Sequence, residues 1–124
     1  MLKQAALAAA ILAFALAAAG WIATAADPFA PGQLPQHAPD VANGERVFHA
    51  AGCAACHAAA DAKGDEKLKL GGGLELATPF GLFRVPNISP DPETGIGGWS
   101  ELQFVNAVMR GVAPQGAHYY PAFP

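Results

Sequence analysis

Hydrophobic positions along this chain fall into one unbroken block followed by several short periodic ones. From Ala5 to Ala26 every residue is uncharged, most are Ala or Leu, and Ile11, Leu12, Phe14, Leu16, Trp21 and Ile22 are the bulkiest. A single basic residue, Lys3, stands ahead of this block, and Ala23-Thr24-Ala25 forms a small-x-small triplet at its end. That order fits a cleavable export signal. The block is also about long enough to span a bilayer, with Trp21 where an interfacial aromatic belongs. Residues 1–26 are therefore read as a signal peptide or an N-terminal membrane anchor, and a buried helix of a soluble domain fits the position and flank less well. Either way the remainder faces the exported side, which in a bacterium is the periplasm.

Residues 27–39 carry Pro28, Pro31, Pro35 and Pro39, which disfavour regular structure, so they are read as an extended linker in which His37 is solvated. At Asp40 the pattern changes. Asp40 can cap a helix from Val41 whose Val41, Gly44, Val47 and Phe48 recur at helical spacing. Gly44 costs about 1 kcal/mol relative to Ala in a helix interior, which predicts that another element approaches closely there. His49 falls on another face, as an exposed polar residue.

Beyond it, Gly71, Gly72 and Gly73 interrupt any helix and allow close backbone approach. Leu74 and Leu76 alternate with Glu75 and Ala77, and Phe80-Gly81 can turn the chain before Leu82, Phe83 and Val85, which predicts a short hairpin. Asp91-Pro92-Glu93-Thr94-Gly95 is turn chemistry. Ser100 with Gln103 then forms a capping box for a helix striped by Leu102, Val105, Val108 and Met109, closed by Gly111. That stripe is read as core.

Without its first block the chain has about a hundred residues, enough for one small domain. Net charge is −3, and the basic residues beyond Lys3 are Arg46, Lys63, Lys67, Lys69, Arg84 and Arg110. They form no basic stripe, which argues against nucleic acid. Lys63 to Lys69 are interspersed with Asp65 and Glu66, a solvated face first and a docking patch for an acidic partner second.

The chemistry concentrates in Cys53-Ala54-Ala55-Cys56-His57, which holds both cysteines of the chain. Two thiols three positions apart and an adjoining imidazole suit covalent haem: each thiol forms a thioether to a vinyl group, and His57 is the proximal iron ligand. A thioredoxin-type dithiol would need a preceding strand and a βαβ context that the pattern lacks. Zinc would need about four ligands, and no second Cys-x-x-Cys or paired His is present.

Gly44, Phe48 and Cys53 to His57, as G-x-x-x-F followed by C-x-x-C-H, resemble the start of a class I c-type cytochrome. Leu70 to Leu74, Thr78-Pro79-Phe80-Gly81, Pro86 to Trp99 and His118 to Pro124 resemble the haem domains of cytochrome subunits of bacterial membrane-bound alcohol, gluconate and fructose dehydrogenases. The resemblance runs from about Asp40 to the last residue. It implies a mainly α, loop-rich, cytochrome c-like fold over residues 40–124 around one covalent haem c.

Three donors are candidates for a haem propionate or the haem edge: the guanidinium of Arg84, the amide of Asn87 and the indole of Trp99. For the sixth iron position, many related cytochromes use a methionine in or beyond a P-A-M-P-like segment, where this chain has Pro121-Ala122-Phe123-Pro124. Phenylalanine cannot ligate, which leaves His118 and Met109 as candidates or an open position. The chain also stops before the final helix that packs across Gly44 and Phe48 in this fold, so a fragment is expected.

The function expected from these residues is a one-haem electron carrier at the periplasmic side of the inner membrane. It would accept electrons from a membrane-bound dehydrogenase and pass them towards a terminal oxidase or another cytochrome, with no substrate chemistry of its own. The alternatives are a five-coordinate haem doing peroxide or gas chemistry and a periplasmic thiol-disulfide oxidoreductase using Cys53 and Cys56.

Overall fold

A computed structural model of the chain describes residues 1–122. Its elements are α1 (Leu2–Ala23), α2 (Val41–Ala50), α3 (Cys53–His57), a 3-10 helix (Gly64–Lys69), β1 (Glu75–Thr78), β2 (Gly81–Arg84) and α4 (Glu101–Arg110). The described chain is mostly helical and loop-rich, as the resemblance implies.

The apolar block forms α1, 22 residues long with none buried. At 1.5 Å per residue it is about 33 Å long, enough to cross a bilayer.

Asp40 caps α2 as predicted, its carboxylate accepting from the Asn43 N–H at 2.9 Å. The close neighbour predicted at Gly44 is not found among the described residues: a Cβ there would meet nothing within 4 Å. The reason is local, since α2 packs against α3 and no other described helix or strand meets it. Val41 and Val47 are accordingly exposed.

β1 and β2 form the predicted hairpin, with Glu75 opposite Arg84, Leu76 opposite Phe83, Ala77 opposite Leu82 and Thr78 opposite Gly81. Thr78 ties the tip, its hydroxyl accepting from the Phe80 N–H and donating to the Gly81 carbonyl. Past the strands the pairing continues: the Gly73 N–H donates to the Val85 carbonyl and the Val85 N–H to the Leu74 carbonyl, each at 2.8 Å. On the hairpin, Phe83 stacks on Tyr120 with centroids 4.1 Å apart.

α4 starts in the predicted capping box: the Ser100 hydroxyl accepts from the Gln103 N–H at 3.2 Å, and the Gln103 side chain accepts from the Ser100 N–H at 2.8 Å. It ends at Gly111, whose φ of 62° is the left-handed value favoured at a helix C-terminus. Its buried side is a correction to the predicted stripe. Asn106 and Ala107 are buried, whereas Val108 is 46% and Met109 70% exposed. The helix is rotated by about one position because Asn106 faces inward to bond the main chain of Phe29, which gives both its Oδ1 and its Nδ2 a partner.

Among the described residues the buried apolar set is small, namely Ala58, Val85, Ala107, Val112 and Ala113. These sit where α3, the hairpin and the end of α4 are succeeded by loops, so much of the fold is held by loop hydrogen bonds. Asp91 is the centre of one such loop. Its Oδ1 accepts from the N–H groups of Glu93 and Thr94 and from the Thr94 hydroxyl. Cβ atoms at Gly95 and Gly97 would run into the carbonyls of Ser89 and Pro90, so this loop coils too tightly for other residues there.

Candidate haem site

Gly52 turns the chain from α2 into α3, at a φ of 67°. α3 is only five residues long, Cys53–His57, and small Ala54 and Ala55 fill its middle. Positions three apart on a helix share a face, so Cys53 and Cys56 stand one above the other. Both thiols are unpaired, Cys53 half-buried and Cys56 exposed. His57 is the last residue of the helix, one position round from Cys56.

The ring of His57 is fixed from outside α3. Its Nδ1 lies 2.9 Å from the carbonyl oxygen of Pro86. A carbonyl can only accept, so Nδ1 carries the hydrogen and Nε2 keeps its lone pair for a metal. The main chain of His57 is held as well, its carbonyl accepting from the Gly72 N–H at 2.7 Å. Gly72 is the hinge of this arrangement. Its φ is 69°, and a Cβ would sit 2.6 Å from both C and O of Pro86 and 2.7 Å from the Asn87 nitrogen. The glycine run signalled close approach in the sequence. That the approach is by Pro86 onto Gly72, and that Pro86 then orients His57, had no sequence signal, because every residue carries a carbonyl.

This donor set fits a covalently attached haem: two free thiols on one helical face beside an imidazole whose tautomer is set for coordination through Nε2. It does not fit a zinc site, since no group of three or more His, Cys, Asp or Glu among the described residues is placed to share a metal.

The other residues singled out in the sequence have their own partners or surroundings. Arg84 donates from Nε and Nη2 to one oxygen of Glu75, its cross-strand partner, at 2.9 and 2.8 Å. The side chain of Asn87 next to Pro86 accepts from the Ser89 N–H at 2.9 Å and donates to the Thr94 hydroxyl at 3.2 Å. Trp99 is half-buried just before α4, its main-chain N–H donating to the Ile96 carbonyl. Met109 and His118 line one open cavity of about 360 Å³ with Arg110, Gly111 and Tyr119. His118 Nε2 is 3.0 Å from the Thr24 carbonyl oxygen. Phe123 lies outside the described residues.

Two titratable groups are displaced. Hydrogen bonds from the main chain and side chain of Thr94, then from the Glu93 main chain, hold Asp91 below the usual carboxylate range. Burial raises the phenol of Tyr119.

Residues 41–122 match the family model for cytochrome c. The chain belongs to that family. Among its relatives, a diheme cytochrome c-type protein of Cereibacter sphaeroides is 54% identical over 85 residues, 68% of this chain and 29% of that protein. The gluconate 2-dehydrogenase cytochrome c subunit of Pantoea cypripedii is 44% identical over 84 residues, 68% of this chain and 18% of the subunit. The cytochrome c subunit of the quinone-dependent alcohol dehydrogenase of Gluconobacter oxydans is 38% identical over 84 residues, 68% of this chain and 16% of the subunit. The cytochrome thus spans less than a third of the length of each of these three relatives. Membership, together with the cysteine motif on α3, implies covalent haem c. The cytochrome is homologous to cytochrome subunits of dehydrogenases, and its α1 is consistent with a signal or anchor.

Proposed function

We propose that this cytochrome domain binds one haem through Cys53 and Cys56, ligates its iron with His57, and relays single electrons from a membrane-bound dehydrogenase towards a terminal oxidase or another cytochrome. The observation that carries the reading is the His57 ring held on the Pro86 carbonyl at 2.9 Å beside two unpaired thiols. When bound, the haem supplies reversible one-electron chemistry. The chain's own residues do the rest. Cys53 and Cys56 would hold the haem covalently as thioethers, a link that would survive denaturation. The Pro86 carbonyl accepts the Nδ1 hydrogen, which leaves Nε2 as the nitrogen that would meet the iron and fixes the ring orientation. Gly72 keeps Pro86 close enough to do so.

Arg84, Asn87 and Trp99 are proposed as donors to the propionates or the haem edge. Arg84 is 77% exposed in its side chain and Asn87 is already shared between Ser89 and Thr94, so either would divide its hydrogen bonds with a propionate. His118 and Met109, which line one cavity, are the proposed sixth ligands within this chain. The compartment proposed is the periplasmic side of the inner membrane, with α1 as signal or anchor.

Intact mass under denaturing conditions, on protein exported by a host that matures c-type cytochromes, tests the attachment. One haem retained supports the proposal. An apoprotein with two alkylatable thiols or one disulfide would overturn it in favour of a thiol oxidoreductase.

A further inference from the structure

The segment between α1 and α2 is bound to the domain at its start. Phe29 lays its main chain along the buried amide of Asn106, its N–H donating to Oδ1 at 2.7 Å and its carbonyl accepting from Nδ2 at 3.1 Å. A primary amide offers an acceptor and a donor on one edge, the same pair that a strand edge offers, so it holds an extended residue in a single register. Arg110 completes the grip. Its guanidinium carbon lies 4.2 Å from the centroid of the Phe29 ring, and its Nη1 lies 3.7 Å from Asp27 Oδ2. Beyond Phe29, Ala30 to Gln33 make a turn: the Gln33 N–H donates to the Ala30 carbonyl at 3.1 Å, with Pro31 and then Gly32, at a φ of 84°, in the middle. Before it, His118 meets the Thr24 carbonyl. Asn106 is 9% exposed, and both polar groups of its amide would be left unsatisfied without Phe29.

We infer that the Asn106 and Arg110 face of α4 is a docking site for the chain's own segment Asp27 to Ala30, and that this clasp mounts the cytochrome domain in a fixed orientation on the end of α1. The clasp stands on its own contacts; its consequence for orientation at a membrane rests on the proposed reading of α1. Cleavage after Ala25 would remove Thr24 from His118 but leave Asp27 and Phe29 in place, so the anchored and released forms keep the same clasp. In the anchored form the Pro-rich residues past Gln33 then loop out from a docked start, and α3 is presented to partners from one direction instead of sweeping the full reach of a free tether.

Amide hydrogen exchange on the full exported chain in detergent micelles tests this. The Phe29 N–H is expected to exchange at least about tenfold more slowly than an unprotected amide. Asn106→Leu keeps the volume but supplies neither hydrogen bond, and should return Phe29 to within about twofold of the unprotected rate while α2 amides keep their protection. Arg110→Gln, a surface change that leaves the fold intact, should accelerate Phe29 exchange by about threefold through loss of the ring and Asp27 contacts. An unprotected Phe29 in a chain whose α4 amides are protected would overturn the clasp, as would protection unchanged by both substitutions. Sedimentation with membranes, read on the same preparations before detergent is added, separates the two ideas: a released chain with protected Phe29 supports the clasp and overturns only the anchor.

Discussion

Pro86 and His57 are 29 positions apart, yet the carbonyl of one accepts the ring hydrogen of the other at 2.9 Å. Gly72 stands between their two segments, donating to the His57 carbonyl and leaving room for Pro86 that no side chain could share. Orientation of the proposed iron ligand therefore depends on a residue with no side chain and a residue acting through its main chain.

Gly72→Ala should accordingly be the most damaging small change near the site. Its positive φ and the 2.6 Å approach to Pro86 both oppose a Cβ, and a loss of about 1–3 kcal/mol is expected in denaturant unfolding. Gly44→Ala is the matched control. A Cβ there meets nothing within 4 Å, so this chain should gain up to about 1 kcal/mol from helix propensity. Equal losses at the two positions would refute the distinction.

His57→Ala in a maturation-competent host should leave the covalent link through Cys53 and Cys56 but alter the visible spectrum of the retained haem. Replacing both cysteines with Ser should give protein without retained haem after denaturation. Retention in the double Ser variant would show that the thiols of α3 are not the attachment points.

Asp91 predicts a specific acid sensitivity. Its pKa is lower folded than the ordinary carboxylate value because Thr94 and Glu93 donate to it. Its contribution is present above the unfolded value, about 3.9, and is lost as pH falls from there through the folded one. Unfolding midpoints measured between pH 6 and 2 should fall more steeply for the native chain than for Asp91→Asn, which keeps an acceptor but does not titrate. Parallel profiles would count against Asp91 as a source of the slope.

The two caps give a check on the helices. Ser100→Ala removes the hydroxyl bond and half of a capping box, and Asp40→Ala removes the bond to Asn43. Each should lower stability by about 1 kcal/mol in chemical denaturation, and their effects should add because the caps share no partner.

Much of the local structure was legible because its signals are carried by neighbours in sequence. Asp40 and Asn43, Ser100 and Gln103, and Thr78 with Gly81 each meet within one turn. The haem motif was legible for the same reason, since Cys53, Cys56 and His57 occupy a single short helix. Met109 shows where periodicity misled. The stripe through Val108 and Met109 satisfied a helical pattern, but burial went to Asn106, a polar residue whose value is its fit to the main chain of Phe29.

By itself, then, the sequence determined the capped helices α2 and α4, the hairpin and the Asp91 turn, the apolar block of α1, and the chemistry of the thiols and imidazole, all of which follow from covalent proximity and side-chain type. Tertiary structure alone decided that Pro86 orients His57, that Gly72 is tightly packed while Gly44 is not, and that Phe29 docks on Asn106. Those contacts use main-chain groups that every residue possesses, so no side-chain pattern marks them, and only the folded path of the chain brings the particular pair together.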